Sequence, residues 1–86
     1  MITVKEAVEN AVAFARGVLD ETRSTNLRLE EVEIRQNPDQ WLVTLSMPVI
    51  NVFGHPSQQR EYKSFLVDGE TGEILWMKIR ELAGAA

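Results

Sequence analysis

Three groups of residues have side chains that could do chemistry. Asp68, Glu70 and Glu73 crowd one short stretch and offer the hard oxygen ligands that Ca²⁺ takes. Their spacing is not that of a calcium-binding loop, and three carboxylates fall short of the six to eight oxygens Ca²⁺ needs. A self-contained turn explains the same residues. Asp68 can bond backbone amides ahead of it, Thr71 can help, and Gly72 can take positive φ. His55 is the single histidine. It has no second imidazole with which to share a metal. Ser57 lies near it in sequence, but a dyad needs nucleophile and base aligned in space. Glu30, Glu31 and Glu33 could act as acid and base only inside a cleft that shifts their pKa values. As the outward face of an edge strand they are solvated charges that discourage aggregation. No catalytic residue, metal site or cofactor is expected.

The composition narrows the class further. Eighty-six residues suit one domain with a thin core. The chain has no cysteine, so disulfides and thiolate chemistry are absent. The formal net charge is −4, with 13 acids against 9 bases. Arg23, Arg28 and Arg35 are scattered among acids, so no phosphate-tracking stripe and no nucleic-acid partner are expected. No apolar run approaches the ~20 residues that span a bilayer. The start, Met1 to Glu6, is not a signal peptide. A cytoplasmic chain is expected, with an export signal removed upstream as the alternative.

These groups must be positioned by a helix and strands. Thr3-Val4-Lys5-Glu6 fits a capping box. Val4, Ala7, Val8, Ala11, Val12, Ala15, Val18 and Leu19 then recur at helical spacing. The pattern predicts an amphipathic helix over about 4–21 whose Ala-rich stripe approaches a sheet closely. Phe14 should flank that stripe, and Gly17 should mark a close contact or fraying. Alternation predicts strands over about 29–36, 41–48, 60–67 and 73–80. Pro48 should close the second strand or mark an edge. Short turns between consecutive strands imply antiparallel pairing in sequence order. The expected fold is α+β, one N-terminal helix on a four-stranded antiparallel meander in a single domain.

The ending Tyr62-Lys63-Ser64-Phe65-Leu66-Val67-Asp68-Gly69-Glu70-Thr71-Gly72-Glu73-Ile74-Leu75 resembles the PepSY domain family. Its members combine an extended strand, a Val-Asp pair, a Thr-Gly-Glu turn and a final apolar strand. The match covers this hairpin, and the helix followed by strands extends it loosely to most of the chain. The segment around Phe53-Gly54-His55-Pro56 is longer and more apolar than that family's middle loop. The resemblance implies a cystatin-like helix-on-sheet layout and a non-catalytic role in binding or peptidase inhibition. It supplies no catalytic residue.

If Val67 pairs with Ile74, Phe65 faces Trp76. Tyr62, Leu66, Leu75, Met77 and Ile79 then share the other face. Both faces become more apolar than one helix can cover, which points to a second subunit or a protein partner on the uncovered side. Ile50, Val52 and Phe53 either form a binding tip or fold back to complete the core. The expected function is therefore a non-enzymatic protein-binding or self-associating module, inhibitory or regulatory. The candidate contact residues are Ile50, Val52, Phe53, Tyr62, Leu66, Leu75, Met77 and Ile79. One alternative is a small-ligand carrier or enzyme with a pocket lined by Trp41, Phe65 and Trp76. Another is an inert structural subunit of a larger assembly.

Overall fold

The Thr3 hydroxyl accepts a hydrogen bond from the Glu6 amide, and Glu6 Oε1 accepts one from the Thr3 amide, each at 3.1 Å. This reciprocal pair starts helix α1, Val4–Val18. The structure is a computed structural model and describes residues 1–80. The helix expected over 4–21 is in fact broken. Leu19 is extended, and Asp20 Oδ1 accepts from the Arg23 amide at 2.8 Å to cap a second, one-turn helix, α2, Glu21–Ser24. A carboxylate at that position stabilises a new helix start instead of continuing the old one. Of the two expectations for Gly17, the close contact is not found, and the helix ends one residue beyond it. The close approach is made by Ala7, Ala11 and Ala15, all fully buried.

The strands are β1, Arg28–Arg35; β2, Gln40–Ile50; β3, Pro56–Asp68; and β4, Ile74–Arg80. They form one antiparallel sheet in the order β1-β2-β3-β4. The central hairpin is longer than expected. β2 runs through Pro48 to Ile50, and β3 starts at Pro56. The pairing of β1 ends at Arg28 with Ser46, so at Pro48 the sheet has an edge on that side. Proline is tolerated there because no bond to β1 is lost.

Trp41, Val43, Leu45 and Met47 of β2 and Phe65 and Val67 of β3 face the helix. Val43, Leu45, Met47, Phe65 and Val67 are buried and form the core with the three alanines. Phe14 does flank the stripe, its ring edge-on to Phe65 at a centroid distance of 6.2 Å. The two turns at one end are tied together. Gly69 N donates to Asp39 O at 2.8 Å, Ile2 N donates to Gly69 O at 2.7 Å, and Asn10 Nδ2 donates to Gly72 O at 3.0 Å.

Val67 does pair with Ile74, but Leu66 pairs with Trp76 and Phe65 with Met77. Leu75 is the extra residue of a β-bulge. One inserted residue switches the face of everything beyond it. Met77 and Ile79 therefore lie on the helix side, not beside Tyr62 and Leu66. Trp76 lies on the open side with Leu66, not opposite Phe65.

Candidate functional site

The far end of the β2–β3 hairpin is the most exposed apolar feature among the described residues. Asn51 organises it. Its Oδ1 accepts from the amides of Phe53 at 2.9 Å and His55 at 3.1 Å. Its own amide donates to His55 O at 2.8 Å, and Gly54 N donates back to Asn51 O at 3.0 Å. Gly54 has φ +77°, a conformation that glycine takes without strain. The backbone is thus satisfied locally, and no side chain folds back. Val52 is 94% exposed and Phe53 80% exposed, while Ile50 at the strand end is half-buried. The tip projects from the sheet and does not complete the core. His55 belongs to it through its backbone. The Ser57 hydroxyl donates to Gln59 O at 3.4 Å, not to the imidazole.

The open face of the sheet is mixed: a polar layer lies beside Leu42, Leu66, Tyr62 and Trp76 where an apolar surplus was expected. Thr44, Ser46 and Ser64 are buried there beneath longer side chains. Arg80 Nη1 donates to Glu31 Oε1 and to Thr44 Oγ1, both at 2.8 Å, and the Thr44 and Ser64 hydroxyls lie 3.2 Å apart. Glu31 raises the already high pKa of Arg80 through that hydrogen bond. Farther along, Ser46 Oγ donates to Glu30 Oε2 at 2.6 Å and accepts from Arg60 Nε at 2.8 Å. Arg60 Nη2 reaches the carbonyls of Asn26 and Ser46 at 2.7 and 2.9 Å. Glu30 and Glu31 are therefore members of a hydrogen-bonded layer, not a freely solvated face. Beside it runs a groove of about 440 Å³ lined by Arg35, Leu42, Ser64, Trp76 and Lys78 among others. Lys78 Nζ lies 4.5 Å from the centre of the Trp76 ring. Tyr62 and Leu66 share this side of the sheet by register.

The remaining candidates separate. Asp68 Oδ1 accepts from the amides of Glu70 at 2.7 Å and Thr71 at 3.0 Å, and Glu73 N donates to Thr71 Oγ1 at 3.2 Å. Asp68 thus serves its own turn. Among the described residues no three His, Asp or Glu side chains are grouped to hold a metal ion. Trp41, Phe65 and Trp76 do not line a common pocket, because Trp76 is on the opposite side of the sheet from the other two. Met77 packs on the helix-side core, whereas Leu75 and Ile79 are exposed.

Sequence reasoning missed Arg60, Arg80, Thr44, Ser46 and Ser64. The signal was there: three small hydroxyl residues on the non-helix side of the two central strands leave room for long side chains to lie across them. No helix among the described residues is long and apolar enough to cross a membrane. Comparison with protein-family models, curated proteins and solved structures gave no match.

Proposed function

We propose that this chain is a non-enzymatic association module whose β2–β3 hairpin tip anchors in a pocket of another protein. The exposure of Val52 and Phe53 on a locally bonded tip carries the proposal. An aromatic side chain buried in a partner's pocket is the common energetic centre of an interface. The Asn51 bonds order the tip before binding, which lowers the entropy lost on association. Ile50, at the base, would rim the contact.

The helix-on-sheet layout and the Asp68 to Glu73 turn are what a PepSY-like module would have. Within that reading the chain acts in the cytoplasm as an inhibitor or regulator of the protein it holds. Tyr62, half-buried on the open face, is a secondary contact; Leu66, expected beside it, is buried within the domain and is not available to a partner. The test replaces Val52 with a photo-crosslinking phenylalanine analogue in cells that express the chain. A discrete adduct that disappears with Phe53→Asp supports the proposal. An adduct pattern unchanged by Phe53→Asp would remove it.

A further inference from the structure

We propose that two copies of the chain pair antiparallel through β4, about a two-fold axis at Met77. This stands independently of the hairpin tip. Among the described residues β4 is bonded to a strand on one side only, β3, so its other edge offers free backbone groups. The pattern Ile74-Leu75-Trp76-Met77-Lys78-Ile79-Arg80 is self-complementary about its centre. Antiparallel pairing at Met77 sets Trp76 opposite Lys78 of the second copy and Leu75 opposite Ile79.

Each of these pairs is favourable. Lys78 already lies over Trp76 within one chain, and across the two-fold the same cation–π pairing can form twice. Leu75 is exposed and Ile79 is 71% exposed, so their contact removes apolar surface from water. Centring on Lys78 sets two ammonium groups opposite each other, and like charges across a ladder destabilise it. An offset of one residue sets helix-side positions opposite open-side positions. On the helix side the apolar strip continues to the axis, from Phe14 to Phe65 to Met77.

The opposite edge is defended against the same event. Self-pairing centred on Val32 would set Glu31 against Glu33, and centring on Glu31 or Glu33 sets each against itself. Of the two sheet edges among the described residues, β4 therefore suits a second copy, and pairing there closes after two chains with an isologous interface. The product is an eight-stranded sheet. Because the two β4 strands run in opposite directions, its two hairpin tips project from opposite ends.

Sedimentation velocity of the intact chain up to about 100 µM should show a species of twice 9.7 kDa. The chain has no cysteine, so Met77→Cys introduces a single thiol. Residues opposite each other in an antiparallel pair have Cα atoms about 4.5–5.5 Å apart, within disulfide reach. Mild oxidation should convert most of Met77→Cys to a covalent dimer and leave Val52→Cys largely monomeric. Ile79→Lys, at an exposed position that does not strain the fold, should reduce the mass to that of a monomer. A monomer at every concentration, a dimer indifferent to Ile79→Lys, preferential crosslinking at Val52→Cys, or open-ended polymers would each overturn the proposal.

Discussion

Arg80 and Glu31 come from the two outermost strands, β4 and β1, and meet at 2.8 Å above the buried Thr44 hydroxyl. The arginine spans the open face and ties both edges of the sheet to its centre. A charged pair directed at a hydroxyl contributes more than an isolated surface ion pair, but both members are partly exposed and solvent screens them. Arg80→Ala should destabilise the domain by about 1 kcal/mol. For a domain of this size that lowers Tm by roughly 4–8 °C. Glu31→Ala should cost less, because Thr44 keeps its arginine. A thermal double-mutant cycle should show coupling between the two; strict additivity would contradict the bridge.

Two glycines should respond in opposite directions to the same change. A Cβ on Gly69 would lie 2.5 Å from the Asp39 carbonyl oxygen, which itself accepts the Gly69 amide. That neighbour is backbone and cannot move aside cheaply. Gly69→Ala should therefore lower stability by about 1–3 kcal/mol. Gly17 is helical and has open space around it. Gly17→Ala should stabilise by about 0.4–1 kcal/mol through the unfolded chain. Chemical denaturation of both variants checks the contrast.

Acid should weaken the β3–β4 turn. The amides of Thr71 and Glu70 hold the Asp68 carboxyl below the ordinary aspartate range. A depressed folded pKa stabilises the native state fully above the unfolded value and loses that contribution as pH falls through the folded value. Thr3 does the same to Glu6, and Arg23 to Asp20. Asp68→Ala should melt below the wild type at pH 7. The gap should persist to about pH 5 and narrow below about pH 4. A gap that widens in acid would contradict the hydrogen-bond account.

The helix cap, the Ala stripe and the strand order were legible because each follows from local chemistry or simple periodicity. The β3–β4 turn was legible for the same reason. Asp68, Thr71 and Gly72 act within a few residues of themselves. The Leu75 bulge was not legible, because Ile74, Leu75, Trp76 and Met77 are all apolar and alternation has nothing to mark the extra residue. That one insertion moved Met77 to the core and Trp76 to the open face. The Arg80 to Glu31 bridge was hidden for a different reason: it joins residues 49 positions apart through two intervening strands. At the tip, Ile50, Val52 and Phe53 were visible as candidates. The exposure of Val52 and Phe53 was not, since it depends on Asn51 turning the chain before those two residues can reach the core.

We propose that the apolar hairpin tip, with Val52 and Phe53 exposed, holds another protein. Crosslinking from position 52 in cells, compared with and without Phe53→Asp, tests it most directly, with Tm of the purified variant measured in parallel. Because Phe53 is 80% exposed, the substitution should leave Tm unchanged while the crosslinked adduct is lost. An adduct of equal yield in the Phe53→Asp chain, at unchanged Tm, would contradict the account.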